Sequence, residues 1–377
     1  MRAMHGNPKK NGEDRSTMKN GKIGVGIIGT GFGRSAQVPG FRSCDGVEVI
    51  AVGSSRQERA EAVAGESGIP YAFSDYHAMM ELEELDLVSI VTPPYLHYPM
   101  TMAAIEAGKH VLCEKPMAMN LAEAQMMYER AQAAGVIHFI DHELRFDPTS
   151  MKLQQLIAEG YVGRIYHASI HIATSHRVDP RATTWSWWSQ AEKGGGSLGA
   201  TGSHRIDLLR WWLGEIRSAS GELHTFVERR KVADSDEFRA VTSDDQCAFM
   251  LEFESGALAS AFISSVAHHP SGTRTEIHGE SGSLILDADN RLWGRRAGES
   301  GATEWTEPNP YSLLPGVASS VWSISFVGLA RYVTDCIRTG TQPERGATFY
   351  DGLRCQAVME AIRQSWDERR WVEVRAL

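Results

Sequence analysis

From Lys22 onward the chain alternates short, almost continuously apolar runs with longer stretches of helical period. KIGVGII (22–28) opens the series, followed by VEVIAVG (47–53), LDLVSIVT (85–92), KHVLCE (109–114) and VIHFID (136–141). The stretches 56–66, 96–107 and 121–134 between them read as helices, and Asn120 with Glu123 three places on gives the last a capping-box start. β-Branched runs of this length, separated by helices, predict a parallel sheet covered on both faces.

After about residue 146 the period changes to strand alternation. RIYHASIHIATSH (164–176), DDQCAFMLEFE (244–254), GALASAFISSVAHH (256–269), TRTEIHGE (273–280) and GSLILDA (282–288) follow one another with short turns, Gly256 sitting at one of them. Strands in succession predict an antiparallel sheet. Residues 295–320, rich in Gly, Ser and Pro, read as a loop; helices at 321–338 and 347–366 and a strand WVEV (371–374) close the chain. The expected fold is α/β: a doubly wound parallel sheet over 21–145, then an α+β domain with an open, mostly antiparallel sheet over 146–377. The second domain is expected to bind substrate and support oligomerisation. Residues 1–20 are polar, without a secretory h-region, and read as a disordered tail, with Met18 an alternative start.

Composition narrows the function. A chain of 377 residues, 42% hydrophobic and 23% charged, suits two domains with real cores. A formal net charge of −9 argues against a nucleic-acid partner, which needs a basic face. No apolar run reaches bilayer length, so no membrane is expected. Five cysteines, scattered and without a C-x-x-C pair, read as reduced thiols of a cytoplasmic protein.

The first strand runs into Gly29-Thr30-Gly31-Phe32, a turn in which the first glycine permits the bend and the second admits a pyrophosphate at the helix start. The usual third glycine is replaced by Arg34, with Gly33 one place early, so Arg34 must point away or the helix start must shift. The second strand ends in Ser54-Ser55-Arg56, with no carboxylate before Glu58. Donors and a positive charge suit a 2′-phosphate, so NADP(H) is favoured over NAD(H); the alternative is that Arg56 only begins the helix and NAD is accepted too. Thr92 and Pro93 form a rigid turn placed under the cofactor. His97, at the same edge, is expected among the cofactor contacts, where it reads as packing or capping rather than catalysis. Glu114 and Lys115 follow the next strand at the nicotinamide end, where a lysine in a cleft can serve as acid or base.

In order, GIIGTGFG, TPPYLH, CEKP and GGGSLGATGSHRIDLLRWW resemble the Gfo/Idh/MocA oxidoreductase family over nearly the whole chain from Lys22. The resemblance implies a Rossmann domain, an open-sheet domain and an active site between them, with Lys115 working beside the nicotinamide and a bond before Pro116 that is often cis. It also implies a catalytic His204. In the family's second-domain motif Gly194–Gly196, Leu198, Gly202, His204 and Asp207 match, whereas Ala200 stands where sugar-oxidising members carry an aspartate. Asp207 is expected at the substrate, where it either orients His204 or makes a structural salt bridge. His142 or Glu143, at the end of the fifth apolar run, is the candidate to supply the missing polar group. Trp187, among Trp185, Trp187 and Trp188, is the indole expected to reach substrate. His167 with His171, and His268 with His269, lack a third ligand at metal spacing, so no metal is expected.

These readings describe an NAD(P)-dependent oxidoreductase acting on a carbohydrate-like alcohol or ketone (sugar, polyol or cyclitol), as a homodimer or homotetramer. Two alternatives stay open: a reductase of dihydrodiol- or biliverdin-type substrates, and a dinucleotide-sensing regulator without turnover.

Overall fold

The computed structural model describes residues 21–375; the expected tail and the start at Met18 lie outside the described residues. The first unit runs β1 (Ile23–Ile28), α1 (Val38–Arg42), β2 (Val47–Gly53), α2 (Gln57–Ser67), β3 (Tyr71–Phe73), α3 (Tyr76–Met80), β4 (Leu87–Ile90), α4 (His97–Glu106), β5 (His110–Cys113), α5 (Leu121–Ala134) and β6 (His138–Ile140). All six strands are parallel, in the order β3-β2-β1-β4-β5-β6. The order reverses between β1 and β4, so the loops at their carboxyl ends diverge and open a crevice. Every residue of β1 and β4 is buried, which is why these strands read as unbroken apolar runs. The short β3 and α3 left no comparable trace in the sequence. At α5 the Asn120 side chain accepts from the Glu123 N–H, but Glu123 reaches back to the Met119 N–H rather than to that of Asn120.

The second unit contains α6 (Pro148–Ala158), β7 (Ile165–Ala173), α7 (Ser203–Leu213), β8 (Ile216–His224), β9 (Arg229–Lys231), β10 (Phe238–Ala240), β11 (Gln246–Phe253), β12 (Leu258–Ser264), β13 (Gly272–Gly279), β14 (Gly282–Leu286), β15 (Leu292–Arg296), β16 (Thr303–Glu304), α8 (Val321–Thr339), α9 (Phe349–Glu368) and β17 (Val372–Glu373). Its nine-stranded sheet has the order β16-β15-β14-β13-β7-β12-β11-β8-β17 and is antiparallel except where β7 meets β12. The edge strand β16 interrupts the stretch read as loop. Gly256, at φ +81°, turns β11 into β12.

Alternation sets the two faces of this sheet. Cys247, Phe249, Leu251 and Phe253 of β11 point inward, while Met250 (45% exposed) and Leu258 of β12 (43%) point out. The helix α8 belongs in space to the first unit. Phe326, Leu329, Ala330 and Val333 join Ile23, Val25, Phe41 and Phe139 in one buried cluster, with Phe326 edge-on to Phe41 at 5.3 Å between ring centres. Gly40 makes this approach feasible, since a Cβ there would stand 2.5 Å from the Phe326 ring. Among the described residues no helix is long and apolar enough to cross a membrane, and all five cysteines are free and buried.

Candidate active site

The loops after β1, β2, β4, β5 and β6 meet at one edge of the parallel sheet. Gly29 takes φ +123°, where a Cβ would fall on the Val91 carbonyl oxygen. At Gly31 a Cβ would meet nothing within 4 Å, so the backbone faces open space that fits a pyrophosphate. Gly33 takes over the packing work of the absent third glycine, its Cβ position lying 2.9 Å from Ile27 Cγ2. The helix start also shifts: Gly33–Gln37 form a wide π-turn in which the Val38 N–H donates to the Gly33 carbonyl. Arg34 points out and pairs with Glu66 at 3.1 Å. Thr30 is buried and Phe32 half-buried beside this turn. After β2, the Ser54 N–H donates to the Phe73 carbonyl, while Ser55 and Arg56 are exposed. The Arg56 side chain has no partner among the described residues.

Thr92 and Pro93 are half-buried at the end of β4. His97 is fully buried, its ring nitrogens 2.8 Å from the Thr92 carbonyl and 2.9 Å from that of Pro116. Burial pushes its pKa down to about 4. The neutral ring carries one N–H, so it donates to one of these carbonyls and packs against the other, and buried between the loops after β4 and β5 it offers no surface to a coenzyme. The reading of His97 as a cofactor contact is corrected accordingly: it is a positioning residue, within the packing role also foreseen for it.

The Lys115–Pro116 bond is cis. Lys115 Nζ donates to the main-chain carbonyl of Ala200 at 3.2 Å, so the backbone at this position accepts a bond where sugar-oxidising members carry a carboxylate. The glycine run of the second unit allows the approach. A Cβ on Gly194 would stand 2.5 Å from Pro94, one on Gly195 would strike the Trp188 carbonyl, and one on Gly196 the Asp244 side chain. A second wide turn, Leu198–Gly202, leads into α7 and presents His204.

Around Lys115 the site is rich in buried titratable groups. Glu143 Oε2 lies 3.8 Å from His204 Nδ1 and has no hydrogen-bond partner of its own. Its carboxyl is pushed up to about 8, first by burial and then by the charge of Glu114, against the pull of Lys115. Burial also raises Glu114, again opposed by Lys115. Asp141 is raised well above the usual carboxylate range by burial and by both glutamates. One Asp141 oxygen accepts from Gln37 Nε2 at 2.9 Å, and Gln37 Oε1 in turn accepts from Ser89 Oγ at 2.6 Å. Buried carboxyls that raise one another in this way do not all ionise at neutral pH, and the group holds at least one proton.

His142 and His204 stand edge to face, Nδ1 to Nδ1 at 3.5 Å. Burial lowers His142 to about 4 and takes His204 well below its ordinary value, the charge of Lys115 adding to the second shift. Both rings are neutral, and that of His204 leans on Trp322 at 5.0 Å.

Asp207 does not reach His204. Its two oxygens accept from Arg145 Nε at 2.8 Å and Nη2 at 2.6 Å, and Arg145 also bonds Asp351 at 3.0 Å. The salt-bridge alternative is the one realised, and the reading of Asp207 as a substrate contact is corrected: it is wholly buried. His142, Asp207 and Cys355 offer ligand atoms within 4.8 Å of one another, but Arg145 occupies both Asp207 oxygens and burial raises the Cys355 thiol, a poor donor set for a cation.

A cavity of about 500 Å³ lies on the inner face of the nine-stranded sheet, walled by Trp188, Thr201, Arg205, Asn290 and Trp322, with His204 behind this wall against the Trp322 ring. Trp187 does not line it and is 36% exposed, so Trp188 replaces it as the indole at the cavity. Trp188 sits in a short 3₁₀ turn, Trp187–Ser189, where neighbours point in directions that strand or helix period does not foretell. Nothing local in the sequence marks Trp322 or Arg205: the first arrives from the distant start of α8, and the second carries only its adjacency to His204 as a signal.

Comparison with known proteins agrees with this architecture. The GFO/IDH/MocA model described as an oxidoreductase family with an NAD-binding Rossmann fold matches residues 23–142, and the GFO/IDH/MocA C-terminal domain model matches residues 150–285. The chain is 30% identical to an uncharacterized oxidoreductase of Synechocystis sp., over 94% of this chain and 97% of that one. It is 28% identical to levoglucosan dehydrogenase of Pseudarthrobacter phenanthrenivorans, over 93% and 98% of the two chains. The crystal structure of an NAD binding oxidoreductase from Klebsiella pneumoniae superimposes with a TM-score of 0.83 at 28% identity, covering 95% of this chain and all of that one.

Proposed function

The chain belongs to the Gfo/Idh/MocA oxidoreductase family, and on that footing we propose that it oxidises a carbohydrate-like alcohol, or reduces the matching ketone, with NADP(H) preferred to NAD(H). The observation that carries the reading is the convergence of Lys115, His204 and Glu143 where the two units meet, beside a cavity of sugar size. A bound nicotinamide supplies the hydride acceptor or donor. The protein's own residues then manage the hydroxyl proton and its charge.

Lys115, anchored on the Ala200 carbonyl, brings a positive charge to the developing alkoxide. Glu143 is the acid–base group in the place of the absent aspartate. Its carboxyl, raised to about 8, exchanges a proton near neutral pH, which a fully ionised aspartate in water does not. His204, held neutral, hydrogen-bonds the same hydroxyl and passes its proton toward Glu143 Oε2. The exposed Ser55 and unpartnered Arg56 after β2 support the preference for a 2′-phosphate.

The outer face of the nine-stranded sheet, with Met250 and Leu258 uncovered and His171 stacked on Phe262, is read as the surface of a homodimer or homotetramer. The five buried thiols accord with a cytoplasmic setting.

The test is nicotinamide absorbance with NAD⁺ or NADP⁺ and pools of sugars, polyols, cyclitols and sugar acids, with Lys115→Met beside the natural protein. Turnover should fall about 10³-fold in the variant while its melting temperature holds. Coenzyme binding without turnover in any pool, and none with the ketones and NADPH, would sink the enzyme reading and leave the sensor.

A further inference from the structure

Resting on the oxidoreductase reading above, we infer that the substrate is an anion: a sugar acid whose carboxylate is held by Arg205 while its reacting hydroxyl lies against Lys115, Glu143 and His204. Arg205 follows His204 in the first turn of α7, and the two side chains leave that turn in different directions. His204 faces Glu143, whereas Arg205 forms part of the cavity wall with Thr201, one helical turn back, and Asn290. One small molecule carrying both an alcohol and a carboxylate spans both.

The protein leaves this guanidinium unused. Arg205 has no ion pair and no hydrogen bond among the described residues, and its Nε is fully covered without an acceptor. Glu143 and Asp147 act on it only through space. A guanidinium with its Nε withdrawn from water and without a partner is costly, and Arg145 and Arg354 avoid that cost, Arg145 holding Asp207 and Asp351 and Arg354 holding Glu215.

The carboxylates of the cavity wall, by contrast, are spent. Asp147 accepts from the Ser150 N–H at 2.9 Å and from Asn290 Nδ2 at 3.2 and 3.3 Å. Asp287 accepts from Trp293 Nε1 and from the Asp289 and Arg291 N–H groups at 2.9 to 3.0 Å. The anions have their donors; the cation lacks its acceptor. A second unpaired arginine reinforces the sign. Arg177 lies buried against the Trp188 ring at 3.6 Å with Nε and Nη2 unbonded, putting positive charge behind the aromatic wall. A planar carboxylate meets a guanidinium through two parallel hydrogen bonds, the geometry that makes arginine its preferred partner.

The experiment compares gluconate and glucuronate with glucose, glucitol and glucose 6-phosphate in the coenzyme assay, for the natural chain, Arg205→Gln and Arg205→Lys. The acids should exceed the neutral compounds at least tenfold in kcat/KM. Arg205→Gln should raise KM for the acids roughly tenfold to hundredfold, the loss of one charge-assisted pair, and lower the ratio of acid to neutral kcat/KM by a similar factor. Arg205→Lys should recover part of the loss. Fluorescence quenching of the cavity indoles by gluconate and by glucitol reads binding without turnover.

Neutral sugars turned over as well as the acids, or acid KM values indifferent to Arg205→Gln, would overturn the inference and leave the oxidoreductase reading intact. Preference for the sugar phosphate would overturn the carboxylate assignment. Arg205-dependent quenching by gluconate with no turnover of any compound would sustain the anion site and sink the reaction. Absence of both would sink the two together.

Discussion

Two glycine-rich segments lead into wide-turned helices in this protein, and they spend their glycines differently. After β1, Gly31 faces open space, so the missing side chain leaves room for a ligand. In the second unit Gly194, Gly195 and Gly196 face Pro94, Trp188 and Asp244, so the missing side chains leave room for the protein itself. The first segment is a cradle and the second a joint. Both reach the same place, because Lys115 meets the Ala200 carbonyl just beyond the joint. Glycine density alone therefore says nothing of ligands; what a Cβ would strike decides.

The sharpest way to break this comparison is to add that Cβ at each segment. Gly31→Ala should leave the melting temperature unchanged or slightly higher, since the methyl meets nothing and the unfolded chain loses freedom. Coenzyme affinity should fall roughly 10- to 10⁴-fold, as one or two charge-assisted N–H bonds at about 1.5–3 kcal/mol each are blocked. Gly194→Ala should do the reverse. At φ +80° and against Pro94 it should cost about 1–3 kcal/mol of stability, with coenzyme affinity far less affected. Equal losses of affinity in the two variants, read by isothermal titration, would erase the distinction.

What the sequence made legible follows the same divide. The parallel sheet and its turns are local: each apolar run carries its own strand, and each motif lies within a few residues of the strand end that positions it. What was illegible depends on partners far along the chain. Asp207 could not be told from an orienting group because Arg145 and Asp351, on either side of it in sequence, meet it only in the folded state. α8 reads as part of the second unit by position, yet its stripe covers β1. His97 sits among ligand-facing residues in the sequence but turns inward to two carbonyl groups. Trp187 and Trp188 differ by one residue, and a 3₁₀ turn decides between them.

A smaller effect, and a more specific one, tests the joint's chemistry. If Glu143 is the acid–base group, its ionised form takes the proton in alcohol oxidation. The rate should then climb with pH and level off above about 8, whereas carbonyl reduction should fall through the same range. Glu143→Gln should lose roughly hundredfold in kcat and lose that limb. Stability supplies a second sign. A carboxyl raised from 4.5 to about 8 by folding binds more protons in the native state between those values, so native stability declines as pH rises from about 4.5 to about 8. Glu114 and Asp141 are shifted the same way, so Glu143→Gln should remove only part of that slope. A variant keeping both the limb and the full slope would remove Glu143 from the mechanism.

The smallest expected effect concerns the cradle's far end. Arg56 begins α2 with an extended backbone and an exposed side chain that bonds to nothing described, between two serines and Gln57. The Ser54 backbone is already committed to Phe73, so the loop's shape does not depend on Arg56. Arg56→Ala should therefore leave stability within about 0.5 kcal/mol, as surface changes usually do. It should weaken NADP⁺ about twofold to fivefold, because an exposed charge pair yields about 1 kcal/mol or less, while NAD⁺ affinity stays level. The contrast should shrink as salt rises, since screening acts on an exposed pair and not on the backbone contacts at Gly31. If NAD⁺ and NADP⁺ weaken together, Arg56 touches a part common to both coenzymes and the 2′-phosphate reading fails. If neither changes, Arg56 is a helix-start residue only, and selectivity must then come from the Ser54 and Ser55 hydroxyls, which accommodate a ribose hydroxyl as readily as a phosphate.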